Sequence, residues 1–115
     1  MTRANKIFPS TSALLGVGAS ILYTCPSGTV AKPFKMTLTN TTGTGRTVTV
    51  YLVRSGDSPA TKNMLVNALS VPATNTVQCL DIVGQTLLPG DTIQALCDAA
   101  TAVAPTGSLD EFILS

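Results

Sequence analysis

The side chains with the widest chemical range in this sequence are three thiols (Cys25, Cys79, Cys97) and six carboxylates (Asp57, Asp81, Asp91, Asp98, Asp110, Glu111). Histidine is absent from all 115 residues. That absence removes Ser-His-Asp and Cys-His catalysis, in which an imidazole must take the nucleophile's proton. It also removes every zinc site that uses an imidazole ligand, and the cysteines lie too far apart in sequence to supply a CxxC pair. Glycoside hydrolysis needs only two facing carboxylates, but no spacing singles out a pair. Asp91, in Pro89-Gly90-Asp91-Thr92, reads as a residue that hydrogen-bonds its own turn, and Asp110-Glu111 as a solvated corner. No Asp-x-Asp-x-Asp spacing supports calcium. Gly16-Val17-Gly18 lacks the third glycine and following helix of a dinucleotide loop, and Gly43-Thr44-Gly45-Arg46 has no P-loop lysine. The expected catalytic, cofactor-binding and metal-binding residues are therefore none, and the chain is expected not to be an enzyme.

The elements that would have to position any site are strands. Eighteen threonines, with many valines, dominate the periodic segments, and β-branched side chains suit a pleated, half-buried surface. No extended apolar spacing of three and four residues marks an amphipathic helix. One domain is expected, since two would leave neither half enough apolar surface for its own core. Only 11% of residues are charged, against about 25% in ordinary soluble domains. Much of the surface must then be neutral, which favours association. The seven basic residues are scattered and the net charge is +1, so no phosphate-binding stripe exists and nucleic acid is not an expected partner. An odd number of cysteines in a chain of this size predicts reduced thiols, with Cys79 and Cys97 possible neighbours.

Along the chain, Ile21–Thr24 reads as a short strand closed by Pro26-Ser27-Gly28. Phe34, Met36 and Leu38 alternate with Lys35, Thr37 and Thr39, which places three apolar side chains on one face. After the turn chemistry of residues 40–45, Thr47, Thr49 and Tyr51 alternate with Val48, Val50 and Leu52. The pattern from Phe34 to Val53 predicts an antiparallel hairpin. Residues 54–61 read as a loop, Met64–Val66 and Ala68–Val71 as short strands, and Thr76–Ile82 as a strand with Val77, Cys79 and Asp81 on one face. Pro89-Gly90-Asp91 turns the chain into a strand at Thr92–Cys97, and Phe112–Leu114 closes the fold. Seven or eight short strands at this spacing predict an all-β antiparallel β-sandwich, jelly-roll-like, over residues 21–115.

Residues 1–20 are expected to be an extended N-terminal arm outside the sandwich. The layout of Arg3 and Lys6 before an apolar stretch imitates a secretory signal, but Pro9, Gly16 and Gly18 interrupt it and no A-x-A-like site follows. The stretch is also too short to span a membrane, for which about 18 apolar residues are needed.

Four segments together resemble the small β-sandwich structural proteins of tailed bacteriophages: Ile21-Leu22-Tyr23-Thr24-Cys25-Pro26-Ser27-Gly28-Thr29, Met36-Thr37-Leu38-Thr39-Asn40-Thr41-Thr42-Gly43, Val48-Thr49-Val50-Tyr51-Leu52-Val53 and Leu87-Leu88-Pro89-Gly90-Asp91-Thr92-Ile93-Gln94-Ala95. The resemblance covers roughly residues 20 to 103 and lies in strand and turn grammar rather than in a chemical site. It implies a non-enzymatic virion structural protein, assembled in the host bacterial cytoplasm: a head decoration (cement) subunit on the major capsid protein, with a trimer favoured. A tail- or fibre-associated virion protein is the alternative within that group, and a carbohydrate-binding β-sandwich module the alternative outside it.

Overall fold

The computed structural model describes residues 2–9 and 12–114. The described residues form eight strands: β1 (Thr2–Phe8), β2 (Ser20–Thr24), β3 (Thr29–Asn40), β4 (Arg46–Val53), β5 (Met64–Val71), β6 (Thr76–Gln78), β7 (Thr92–Cys97) and β8 (Val103–Ile113). Two single 3-10 turns, Thr61–Asn63 and Leu80–Ile82, complete the regular structure of these residues. The strands make two four-stranded antiparallel sheets, the first in the order β1-β8-β3-β6 and the second β2-β7-β4-β5. Strand β1 pairs with β8, β2 with β7, β3 with β6 and β4 with β5. The chain thus behaves as one long hairpin rolled up, which is jelly-roll connectivity, and the expected all-β sandwich is the observed fold.

Alternation along each strand builds the core. Met36 and Leu38 of β3 and Val103 and Leu109 of β8 face Val48 and Val50 of β4 and Ile93 and Ala95 of β7, all fully buried. The outer face of the first sheet carries Lys32, Lys35 and Asp110, whose neighbours across the register are outward-facing too.

Three expectations are corrected. First, β3 and β4 do not form a hairpin, because they belong to opposite sheets and residues 41–45 carry the chain across the sandwich. A period of two is the same in a hairpin and in such an arch, since each needs one face turned inward. Buried Asn40 fixes the crossing: its side-chain amide donates to the carbonyls of Thr44 (2.8 Å) and Val71 (3.0 Å), and its oxygen accepts from the Thr42 N–H (2.9 Å). Within β3 the register shifts between Pro33 and Lys35. That bulge turns Phe34 out to 48% exposure instead of joining Met36 and Leu38.

Second, the described part of residues 1–20 is not a detached arm; residues 1, 10 and 11 of that expectation lie outside the described residues. Strand β1 pairs with β8 over seven residues, from Thr2 opposite Ile113 to Phe8 opposite Gly107. Phe8 and Leu15 are both 1% exposed and belong to the core. The Leu15 N–H donates to Val103, and the Leu15 and Gly16 carbonyls accept from Thr101 and Cys97. An edge strand held mainly by main-chain hydrogen bonds needs only one apolar anchor, so β1 carries no alternating pattern.

Third, the strand at Thr76–Ile82 stops at Gln78 and gives way to the turn Leu80–Ile82, so Ile82 is buried while Leu80 and Asp81 face out. The closing strand is also longer than Phe112–Leu114 suggests. Pro105 lies within β8, beyond the point where β1 ends, so β8 has a neighbour on one side only there and the missing N–H is tolerated.

Candidate functional site

Strands β1 and β2 are the edge strands of the two sheets on one side of the sandwich, and the sheets part between them. They leave a cleft of about 410 Å³ whose rim carries Lys6, Ile7 and Ile21 and whose floor carries Tyr23 and Glu111. A bulge between Ile21 and Tyr23 sets the floor, because Tyr23 lies opposite inward-facing Ile93 while Ile21 lies opposite Gln94. Ile7 and Ile21 are 66% and 61% exposed.

Glu111 is not at a solvated corner. It lies in β8 at 7% exposure, and its Oε2 accepts a hydrogen bond from the Tyr23 hydroxyl at 2.6 Å. Burial pushes the Tyr23 hydroxyl well above the ordinary range near 10, and the hydrogen bond and charge of Glu111 push it further. Asp110, the next residue, points to the opposite face of the sheet, where Arg3 approaches at 3.8 Å. Adjacent strand residues cannot converge on one substrate, so these two carboxylates do not form the facing pair that hydrolysis of a glycoside requires.

Asp91 does hydrogen-bond its own turn, through the Leu88 N–H at 2.9 Å, and it reaches further than the sequence suggests. Its carboxylate also accepts from the Ser55 N–H at 2.9 Å and from the Arg54 guanidinium at 2.6 Å, which joins the loop after β4 to the loop before β7. Burial raises the carboxyl's pKa, but the Leu88 N–H, Arg54 and the Ser55 N–H outweigh it and hold it below the ordinary value. The three thiols are free and at most 2% exposed. Burial is the largest influence on each and raises all three above the usual thiol range. Cys79 donates its N–H to Met36 in the first sheet, while Cys97 lies opposite Val48 in the second. Among the described residues no three Cys, Asp or Glu side chains gather around one point. The remaining predicted candidates lie apart from the cleft: Asp57 pairs with Lys62 at 3.6 Å, and Asp98 accepts from the Thr47 N–H at 3.3 Å.

Of the aromatic rings, Phe8 and Tyr51 are buried and Tyr23 and Phe112 half-buried, so Phe34 alone among the described residues offers an exposed face. No helix of the described residues is long and apolar enough to cross a membrane. The side of the second sheet away from the core bears Thr47, Thr49, Tyr51 and Val53 of β4 and Gln94 and Leu96 of β7, without a charged side chain among them; Thr49, Tyr51, Val53 and Gln94 are nevertheless buried and Thr47 and Leu96 half-buried. Sequence reasoning did not find the cleft or this face. Both arise from pairing between strands distant in the chain.

No family model matches the chain, and no curated protein matches it either. Among solved structures, the chain is similar to a Bacillus endospore appendage, described as one of a novel family of disulfide-linked pili. The identity is 19% and the TM-score 0.58, and the match covers 99% of this chain and 88% of that one. It is also similar to a structure of infectious bursal disease virus, Gx strain, at 11% identity and a TM-score of 0.49, covering 96% of this chain and 32% of that one. The second likeness bears on neither fold nor function at that level. The first shows that the jelly-roll sandwich is shared across nearly the whole chain.

Proposed function

We propose that this chain is a non-enzymatic structural subunit that works as one of many copies in a protein assembly. The observation that carries this reading is the set of large apolar side chains that the fold leaves in solvent on a surface poor in charge: Leu80 at 68% exposure, Ile7 at 66%, Val17 at 63% and Ile21 at 61%. The cores of protein interfaces are depleted in charge, because a buried charge must be paired or lose its hydration. The sparse overall charge of the chain, 11% of residues, points the same way. The similarity to a pilus subunit supports the reading through the fold: a compact jelly roll presents flat faces and edges that repeat from copy to copy. The lack of histidine and the divergence of Asp110 and Glu111 support the absence of catalysis.

Within that reading, the sequence segments that resemble tailed-phage proteins support a head decoration subunit bound to the major capsid protein. The same segments support a tail or fibre component. A decoration subunit would close into a small ring such as a trimer, whereas a pilus-like subunit would build an open filament. Light scattering across a concentration series, with negative-stain electron microscopy, tests the proposal. Concentration-dependent rings or filaments are expected. A protein that stays monomeric at the highest soluble concentration and does not bind capsids would overturn it.

A further inference from the structure

The carboxylate on the floor of the β1/β2 cleft is held without a cation. Glu111 is only 7% exposed, and a carboxylate so deeply placed loses hydration that an ion pair or several hydrogen bonds ordinarily offset. Among the described residues it accepts one hydrogen bond, from the Tyr23 hydroxyl, and makes no ion pair. A carboxylate can accept about four. Most of that capacity is therefore open, on a residue that lines the cleft. The carboxylate is also fixed from behind, because the Tyr23 ring packs against that of buried Phe8 with centroids 6.5 Å apart. Strands β1, β2 and β8 thus each contribute to its placement, the kind of support that precise recognition needs.

The other charge in the cleft is Lys6. Lys6 lies opposite Leu109 and Ala4 opposite Glu111, so Lys6 and Glu111 occupy diagonal positions on one face of the sheet, about 7–8 Å apart at the backbone. They form no ion pair with each other, and the Lys6 side chain is exposed. One buried anion and one exposed cation therefore border a space of about 410 Å³, within the range of about 300–1,000 Å³ usual for small-molecule sites. A lone cation there meets the like charge of Lys6, and a lone anion that of Glu111. A molecule carrying both charges meets neither obstacle.

We infer that the β1/β2 cleft is a binding site for a small zwitterion of the free α-amino acid class, its ammonium group on Glu111 and its carboxylate on Lys6. Tyr23 is a positioning residue, since it holds the Glu111 carboxylate in place by its hydroxyl. Such a site is independent of whether copies of the chain associate.

Ligand-observed saturation-transfer NMR with L-alanine tests the site, with ethylamine and propionate as analogues that each lack one of its charges. L-Alanine is expected to bind saturably. Each analogue should bind about tenfold more weakly or worse, because it leaves one charged hydrogen bond unmade. Glu111→Gln keeps the size of the side chain, and Lys6→Met changes only an exposed one. Each is expected to weaken L-alanine binding by a similar factor, with the fold checked by circular dichroism and thermal melting. Should Glu111→Gln not fold, Lys6→Met decides. No saturable transfer to L-alanine overturns the site. So does ethylamine or propionate binding as tightly as L-alanine, or a folded Lys6→Met protein that binds L-alanine as tightly as the wild type.

Discussion

Gly107 meets Phe8 across the β1–β8 pair so closely that a Cβ there would lie 2.3 Å from the ring and 2.7 Å from the Lys35 carbonyl oxygen. Gly107→Ala therefore displaces the ring or opens β8 from β3, and it is expected to destabilise by about 1–3 kcal/mol, as overpacking does. Phe8→Ala leaves the complementary hole and should cost about 3–5 kcal/mol. Urea unfolding monitored by circular dichroism measures both. Asp91 governs the acid limb of stability. Its native pKa lies below the unfolded value, so its contribution is present above the ordinary carboxylate range near 3.9 and is lost as pH falls through the depressed native value. Asp91→Ala should cost about 1.5–3 kcal/mol at neutral pH, from hydrogen bonds to a charged group, and should flatten the fall in melting temperature as pH drops below the ordinary carboxylate value. Tyr23 acts in the opposite direction. Its native pKa is raised, so its contribution is complete below the unfolded value near 10 and lost at more alkaline pH, and Tyr23→Phe should remove that part of the alkaline decline.

At the scale of elements, β1 decides the outcome of truncation. Deleting residues 1–19 removes Phe8 and Leu15 from the core and bares the β8 edge, so the remaining chain is expected to lose its cooperative thermal transition. A merely extended arm would leave that transition in place. The sequence shows β2, β4 and β7 clearly because each has a buried face with apolar residues at alternate positions. It hides β1, in which Phe8 is the one buried side chain, and it hides the first half of β8, where Pro105 and Gly107 imitate a loop. Partners across the sandwich are hidden for a different reason. Asn40 marks a turn in any reading, but only its bonds to Thr44 and Val71 show that the chain crosses between sheets there. The cleft could not be read at all, because Lys6, Ile21 and Glu111 are far apart in the chain and meet only through the β1–β8 and β2–β7 pairs.

At the scale of the molecule, all three thiols lie inside the folded chain. With Cys25, Cys79 and Cys97 free and at most 2% exposed, any assembly of folded copies is expected to survive a reductant unchanged in size by light scattering. The same thiols should react with a chromogenic disulfide reagent only as fast as the fold opens, since burial both blocks access and disfavours the thiolate. Loss of particles on reduction would overturn this.

The pairing of Thr2 with Ile113 has a bearing on synthesis. Strand β1 leaves the ribosome well before β8, its hydrogen-bonding neighbour. The β3 strand likewise gains its long neighbour only when β8 emerges, because β6 covers just three of its residues. The nascent chain can therefore settle the β4–β5 hairpin early, but the first sheet forms only after β8 has been synthesised. Closing loops of that length makes the search slow. During that interval an unpaired β1 and the apolar strands beside it are open to chaperones and to one another, so yield in the cell should depend more on elongation rate and temperature than on the stability of the finished fold.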